Sequence, residues 1–295
     1  MRLNGRRLSN NVDDRRGRSS SGMGLKVGGG IGAIVVAVIA FFLGGGDLGQ
    51  LLGNLGGGTA GLTANTTETT YTPTPEEEEL ATFSKQIFAG TEDVWTKIFK
   101  ENGLTYEPPK LVLYTGSTTS GCGAADASIG PFYCSADQAV YIDLSFFMNM
   151  KRDLGADGDF AYAYVIAHEV GHHVQYLLGT LDRTHQAMAR ASKRDANRLS
   201  VALELQADYY AGVWAHHDNA MFNSLEPGDI DEAIDAARKI GDDYLQKKAQ
   251  GYAVPDSFNH GTSAQRSEWL GRGVRTGDPS PRGADTFSYL GLRQP

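Results

Sequence analysis

Apolar and polar positions recur with different periods along residues 80–277 and predict a mixture of helices and strands. Two short runs, KLVLY at 110–114 and AVYIDL at 139–144, are rich in β-branched and aromatic residues and predict strands. Apolar residues that recur every three to four positions predict a helix over 80–101. Further helices are predicted over 157–178, over 184–217 (one long helix or two, without Gly or Pro before Gly212), over 229–249 (with an acidic first turn) and over 262–272 (with Thr or Ser near its cap). These elements together predict a folded body of roughly 200 residues, the size of one domain.

The segments on either side of this body have a different composition. Residues 1–26 carry seven basic and two acidic residues, whereas residues 27–46 carry no charge and have a strongly apolar centre. A helix of that length covers the roughly 30 Å hydrocarbon core of a bilayer, so a retained membrane-spanning helix is predicted, with a cleaved signal peptide as the alternative. Residues 47–79, rich in Gly and Thr, are predicted to be a flexible linker. Residues 278–295 are predicted to be an irregular tail.

The distribution of charge predicts how the chain lies relative to a membrane. The positive-inside rule places residues 1–26 in the cytoplasm as a basic tail and everything after Asp47 outside. The chain as a whole carries a net charge of −8. Because a nucleic-acid surface needs a basic patch, the acidic body argues against such a partner. We therefore expect a single-pass protein of the cytoplasmic membrane with an extracytoplasmic body; the sequence does not indicate its oligomeric state.

Cys122 and Cys134 are the two cysteines of the chain and lie in the Gly-rich stretch SGCGAADASIGPFYC. In an oxidising compartment a disulfide between them would close a short loop and contribute about 3 kcal/mol of stability in the chain-entropy model. Two unpaired thiols are the alternative if the body is cytosolic. A metal site is a weaker alternative because the Cys-x-x-Cys spacing is absent from the sequence.

The strongest chemical signal is the run YAYVIAHEVGHHVQY at 162–176. On a helix, His168 and His172 are four residues apart and share a face, while Glu169 is displaced by about 100°. This is the H-E-x-x-H pattern, in which two imidazoles bind zinc and the glutamate acts as a general base. A histidine-rich helix without a metal is the alternative, and a third ligand elsewhere in the chain would decide between them.

Two later carboxylates are candidates for that third ligand. A histidine six residues after His172 would define one class of site, but position 178 is leucine, which excludes it. The run ALELQADYYAG offers Glu204 and Asp208 on one helix face, in apolar surroundings where a buried carboxylate needs a partner. We predict Glu204 as the metal ligand and Asp208 as the acceptor for the ring N–H of a ligand histidine. The reverse assignment and a pair of solvated carboxylates are the alternatives.

Four sequence features together resemble the bacterial neutral zinc metallopeptidases: HEVGHH, ELQAD, GPFYC…VYIDLSFF and HGTSAQR. The resemblance covers about residues 80–275. It implies that His168, His172 and Glu204 bind zinc and that a fourth residue, Glu169, is the catalytic carboxylate. It also implies an α+β, zincin-like fold, in which a twisted sheet with its edge strand along the cleft packs on two ligand-bearing helices and one transmembrane helix precedes the domain.

The function implied by this resemblance is a membrane-anchored, zinc-dependent endopeptidase acting on a peptide or protein substrate. Glu169 would be the general base of hydrolysis. Related zincins place a histidine across the metal to stabilise the developing oxyanion, and His260 is the candidate here, although a role in the loop or in helix capping is equally open. The substrate-binding edge strand would be AVYIDL or the strand-like part of 124–133.

Two other functions remain open on the sequence alone. Hydrolysis of peptidoglycan cross-links would use the same metal chemistry, although the body is acidic and no wall-binding repeat is visible. A non-catalytic, zinc-stabilised protein that binds peptides or partners at the membrane is the other. Glu169 argues against this last function, because a purely structural metal site would not need a carboxylate at that position.

Overall fold

The computed structural model describes residues 1–17 and 71–295, which form a mixed α+β fold. Its helices are α1 (Pro75–Glu101), α2 (Ser145–Asn149, continued by a π-helical turn over Met150–Leu154), α3 (Asp159–Leu177), α4 (Thr180–Met188), α5 (Lys193–Phe222), α6 (Asp229–Lys239), α7 (Asp242–Gln250), α8 (Ser263–Thr276) and α9 (Thr286–Tyr289). Its strands are β1 (Val12–Asp14), β2 (Lys110–Tyr114), β3 (Ser117–Ser120), β4 (Gly123–Asp126), β5 (Phe132–Cys134) and β6 (Ala139–Asp143). Both strands predicted from composition are therefore confirmed.

Four strands form one sheet in the order β1-β2-β6-β5. The first three are parallel to one another, and β5 is antiparallel to β6. The central strands β2 and β6 are almost wholly buried, as expected for parallel strands covered on both faces. Since β6 has a partner on each side, it is not the edge strand, and the candidate AVYIDL is wrong for that role. The edge is β5, which overlaps the other candidate stretch at residues 132–133.

Strands β3 and β4 form a separate antiparallel hairpin beside this edge. The predicted disulfide is present between Cys122, in the turn of the hairpin, and Cys134, at the end of β5. Cys134 is completely buried. The bridge therefore holds the hairpin against the edge strand of the main sheet.

Helix α3 lies at the centre of the fold, where α1, α5, α6 and the sheet pack around it. Most of its side chains are buried, which explains why its sequence is apolar around nearly the whole circumference rather than along one stripe. Helix α5 packs along α3 on one side and along α8 on the other. The helix predicted to carry two histidines is thus one of the best-packed elements of the described chain.

The first long helix begins at Pro75, five residues before the predicted start. Thr74 accepts a hydrogen bond from the backbone N–H of Glu77, and the Glu77 carboxylate accepts one from the backbone N–H of Thr74. The acidic run at 76–79 forms the first turn, where carboxylates interact favourably with the helix dipole. The predicted linker 47–79 is therefore wrong for its last residues, and its part up to residue 70 lies outside the described residues.

Two long segments predicted to be helical, the first as one helix or two and the second as one, each contain two helices in the structure. The segment predicted over 184–217 comprises most of α4 and α5, and that over 229–249 is α6 followed by α7. The second break falls at Gly241, where a side chain would collide with the backbone of Ser263 at the start of α8. The break is therefore a tertiary effect, which helical periodicity does not register.

The described parts of both predicted tails belong to the body. In the C-terminal segment, Ala284 and Phe287 are buried, and the hydroxyl of Thr286 donates to the carbonyl of Ala202 at 2.6 Å. At the other end, β1 joins the sheet beside β2. The domain boundaries predicted at residues 80 and 277 therefore exclude segments that are part of the fold.

The membrane-spanning helix predicted at 27–46 lies outside the described residues. Within residues 1–17 and 71–295, no helix combines the length and the apolar character needed to cross a bilayer.

Candidate metal centre

Two histidines of α3 and one glutamate of α5 converge where these helices pack together. The Nε2 atom of His168 lies 3.2 Å from Glu204 Oε2, and Nε2 of His172 lies 3.5 Å from Glu204 Oε1. One potential ligand atom from each of the three residues lies within 4.8 Å of the others. The structure thus brings together the three residues predicted as ligands.

Hydrogen bonds orient both imidazoles. Nδ1 of His168 donates to Asp208 Oδ1 at 2.8 Å, and Nδ1 of His172 donates to Gln175 Oε1 at 2.8 Å. Because both partners accept, the neutral form of each ring carries its proton on Nδ1 and turns the Nε2 lone pair toward Glu204. Three acceptors that face one another, one buried and two partly buried, favour a cation between them. This donor set, two imidazoles and one carboxylate, fits a zinc ion.

The electrostatics of the cluster also favour a cation. Burial opposes a charge on His168, but the carboxylates of Asp208 and Glu204 outweigh burial and raise its pKa to about 10. Burial opposes a charge on Glu204 as well, yet the neighbouring histidines hold its pKa well below the usual range. For His172 burial dominates and lowers the pKa to about 4. The space between these residues therefore attracts positive charge, and a metal ion would compete with a proton for it.

Asp208 lies behind His168, on the side away from Glu204. It is completely buried, and its oxygens accept hydrogen bonds from the Tyr164 hydroxyl at 2.6 Å and from Arg266 Nε and Nη2 at 2.8 and 3.0 Å. These partners hold the Asp208 carboxylate so that it faces Nδ1 of His168. This geometry matches the supporting role predicted for Asp208 and not the reverse assignment, in which it would bind the metal.

A second chain of hydrogen bonds supports His172. The side-chain N–H groups of Gln175 donate to the carbonyl of Leu203 at 2.7 Å and to Gln206 Oε1 at 3.1 Å. Gln206 in turn donates to the carbonyl of Ala284 at 2.8 Å. The C-terminal segment, predicted to be an irregular tail, therefore lies two side chains away from a candidate metal ligand.

Sequence reasoning did not identify Arg266 or Tyr164. Arg266 is 3% exposed and its guanidinium neutralises Asp208, while Tyr164 donates to the same carboxylate. Arg266 lies within the motif HGTSAQR, but nothing in that run indicates that the arginine is buried against a carboxylate 58 positions away. Only the packing of α8 on α5 reveals the contact.

Glu169 lies beside the candidate ligands in the wall of an open cleft of about 570 Å³. Its side chain is buried, and burial raises the pKa of its carboxyl group to about 7. A carboxylate with a pKa near neutrality can both accept and release a proton at neutral pH. The position and environment of Glu169 are therefore those required of the predicted general base.

His260 lines the same cleft from the loop that precedes α8. Its Nδ1 lies 3.2 Å from Asp242 Oδ1, and the other oxygen of Asp242 accepts the backbone N–H groups of Asn259, His260 and Gly261. Burial lowers the pKa of His260, but the carboxylates of Asp242 and Glu204 outweigh burial and raise the pKa. The structure thus brings His260 to the site and holds its ring and backbone by one aspartate.

Gly171 allows α5 to approach α3 closely. A Cβ atom at position 171 would lie 2.9 Å from the carbonyl oxygen and 3.1 Å from the Cα of Ala207, one turn after Glu204. We expect Gly171→Ala to force the helices apart, to lower the free energy of unfolding by about 1–3 kcal/mol and to weaken zinc binding. Chemical unfolding with and without zinc measures both effects.

Gly271 provides a matched control on another helix. A Cβ there would meet the end of the Arg275 side chain rather than backbone, so Gly271→Ala is expected to keep or raise stability. Equal stability and zinc affinity in the two variants would refute the importance of the close helix contact.

The fold and the site together define a candidate metal centre of the H-E-x-x-H class with a glutamate as the third ligand. The chain belongs to the family described as "Putative neutral zinc metallopeptidase", whose model matches residues 1–287. The resemblance seen in the sequence is thereby confirmed, and it extends to residue 1 at one end and to residue 287 at the other.

Two relatives illustrate the range of similarity. The "Uncharacterized protein YpfJ" of Escherichia coli K12 is 49% identical over 286 residues, which cover 95% of this chain and 97% of that protein. The "Uncharacterized protein Mb2605" of Mycobacterium bovis is 41% identical over 197 residues, which cover 63% of this chain and 65% of that protein. No solved structure matches the chain.

Proposed function

We propose that the protein is a zinc-dependent endopeptidase. His168, His172 and Glu204 would hold the metal, and Glu169 would be the general base. The observation that carries this proposal is the convergence of two imidazoles and one carboxylate beside a buried glutamate in the wall of an open cleft. A structural metal site would be closed and would not need a fourth group such as the Glu169 carboxylate, whereas a hydrolytic site needs both the opening and the base.

The residues of the chain have separate tasks in this reaction. A bound zinc ion would supply Lewis-acid chemistry, which lowers the pKa of water and polarises a carbonyl group. The Glu169 carboxylate accepts the proton of the attacking water and delivers it to the leaving amine. The ring of His260, held by Asp242, donates a hydrogen bond to the oxyanion that develops on the substrate. Asp208 keeps the imidazole of His168 in the tautomer that can bind a metal.

Strand β5 would bind the substrate backbone in a zincin-like arrangement. Phe132 and Tyr133 of this edge strand line the cleft, and an extended peptide can add to such an edge by main-chain hydrogen bonds. The hydroxyl of Tyr133 donates to Nδ1 of His173 at 2.9 Å, and Nε2 of His173 donates to the carbonyl of Glu107 at 2.7 Å. The edge is thus tied to α3 next to the candidate ligand His172.

Apolar side chains line much of the cleft. Val165 lies one turn before His168, and further apolar lining residues come from the elements that precede and follow α3 in the chain. Those before it include Phe146 and Met150, and those after it include Leu181 and Met188. We therefore propose that the substrate is an extended, uncharged polypeptide segment with large apolar side chains next to the cleaved bond.

Peptide hydrolysis by the purified full-length protein tests this function. With zinc bound, we expect cleavage of quenched-fluorescent peptides that carry Leu or Phe at the scissile bond, with kcat/KM about 10–100-fold lower when Asp replaces them. A chelator should abolish cleavage and added zinc should restore it. If the metal-loaded protein cleaves none of a set of uncharged peptides, or if the chelator has no effect, the endopeptidase proposal is wrong.

We also propose that the body acts outside the cytoplasm. The disulfide between Cys122 and Cys134 supports this location, since such bridges form and persist in oxidising compartments. Attachment to the membrane would come from the apolar residues 27–46, because an apolar segment can anchor a protein without a single complete crossing.

A further inference from the structure

The first 17 residues are bound to the body by an extended backbone ladder. Strand β1 pairs in parallel with β2 over its whole length. The ladder continues beyond both ends of β1. The backbone N–H of Leu111 donates to the carbonyl of Asn11 at 2.8 Å, and the backbone N–H of Arg15 donates to the carbonyl of Leu113 at 2.7 Å. The segment therefore forms the outermost strand of the main sheet and is not an appendage.

A buried ion pair ties the same segment to α5. The guanidinium of Arg6 donates two hydrogen bonds to Asp218, at 2.7 and 3.2 Å, and lies 3.7 Å from the ring centre of Phe222. The side chains of Arg6 and Asp218 are only 9% and 1% exposed. Removing one partner of a buried pair leaves an uncompensated charge in the interior. The end of the helix that carries Glu204 therefore depends on an arginine from the N-terminal segment.

A second carboxylate of the body also depends on partners from the N-terminal segment. Glu92 of α1 is buried and accepts hydrogen bonds from the side chains of Ser9, Asn11 and Arg7. Arg7 also pairs with Asp93 at 2.6 Å. Arg6 and Arg7, two of the basic residues that suggested a cytoplasmic tail, are thus ion-pair partners of acidic groups in the folded body.

The two described stretches of chain also meet where they approach residues 18–70. Gly17 lies against the side chain of Tyr71, so closely that a Cβ at position 17 would collide with it. Arg16 pairs with Glu78 at 3.0 Å in the first turn of α1. The chain therefore leaves the described structure at residue 17 and re-enters it at a neighbouring point.

We propose that residues 1–17 are an integral part of the metal-binding body and lie on the same side of the membrane as residues 71–295. A single crossing by residues 27–46 would place a bilayer between the two stretches, and none of the contacts above could then form. The sequence predicted that the N-terminus lies in the cytoplasm and the body outside. If residues 1–17 are docked on the body, these two placements cannot both hold. This inference is independent of the proposed peptidase activity.

Accessibility of single cysteines in the full-length protein tests whether residues 1–17 and residues 71–295 lie on the same side of the membrane. Leu8→Cys and Leu104→Cys place a thiol at positions that are 47% and 50% exposed, while the two native cysteines are disulfide-bonded. Spheroplasts are treated with a membrane-impermeant maleimide before and after permeabilisation. We expect both positions to react under the same condition. Reaction of one position in intact spheroplasts and of the other only after permeabilisation would overturn the proposal.

Cross-linking in the membrane fraction tests the docking itself. The double variant Arg2→Cys, Glu226→Cys replaces an exposed ion pair between the segment and the body by two neighbouring thiols, which a short bismaleimide should join within one chain. Adding Arg6→Asp, which places a second carboxylate against Asp218, should reduce the cross-linked fraction by about tenfold or more. Adding Lys97→Asp, the same kind of charge change at an exposed position of α1, should leave it unchanged. Failure of the parental pair to cross-link would refute docking.

Discussion

Replacement of Glu169 by glutamine is expected to lower kcat/KM for peptide hydrolysis by about 10²–10⁴-fold and to leave the zinc content unchanged. Glutamine has nearly the same shape as glutamate but cannot accept a proton. Glu169 is not one of the three residues whose ligand atoms converge, so the donor set of the site is preserved. The loss would therefore appear as a fall in activity at constant metal occupancy.

This variant should be measured beside Glu101→Gln, an exposed position at the end of α1, which is expected to keep full activity. Full activity in Glu169→Gln would show that Glu169 does not act as the general base. The comparison also separates the other functions. A non-catalytic binding protein would bind peptides equally well in both variants and cleave them in neither. A peptidoglycan hydrolase would act on cross-linked muropeptides but not on linear peptides, and would lose that action in Glu169→Gln.

Replacement of Glu204 by alanine is expected to abolish stable zinc binding. Glu204 supplies the carboxylate of the donor set and the negative charge that neutralises part of the ion, and two imidazoles alone form an incomplete site. Asp208→Asn provides the matched comparison, because it changes a carboxylate that contacts His168 from the opposite side. We expect this variant to bind zinc about 10–100-fold more weakly without losing it entirely.

Metal content of the purified full-length proteins after dialysis, together with a zinc titration, measures these effects, and circular dichroism establishes that each variant is folded. Asp208→Asn also leaves Arg266 buried without its countercharge, so its stability must be compared as well. Wild-type zinc content in Glu204→Ala would move the ligand assignment to Asp208 or His260. Absence of zinc from the wild-type protein, under conditions that preserve weakly bound metal, would defeat the peptidase proposal.

The docked N-terminal segment changes how the basic residues near the start of the chain are interpreted. Basic residues before an apolar segment are typical of a cytoplasmic anchor, yet Arg6 and Arg7 are the partners of Asp218 and Glu92. The match of the family model begins at residue 1, so this segment belongs to the region that defines the family. Local composition alone does not distinguish a basic residue that flanks a membrane anchor from one that forms an ion pair within the folded body.

The sequence by itself determined the features that depend on local spacing. The spacing of four residues from His168 to His172 places both imidazoles on one face wherever the helix lies, and the same spacing relates Glu204 to Asp208. The strands β2 and β6 were also predictable, since a short run of β-branched and aromatic residues has few other stable conformations in a folded domain. These signals are contained within one element each.

The tertiary structure alone decided which distant groups meet. The burial of Arg266 against Asp208, the contact of Gln206 with Ala284 and the docking of Arg6 on Asp218 each join segments far apart in the chain. A charged residue leaves no periodic trace that reveals whether it will be solvated or buried against a partner. Its environment follows from how helices and strands pack, because only packing removes water from the charge and makes the partner necessary.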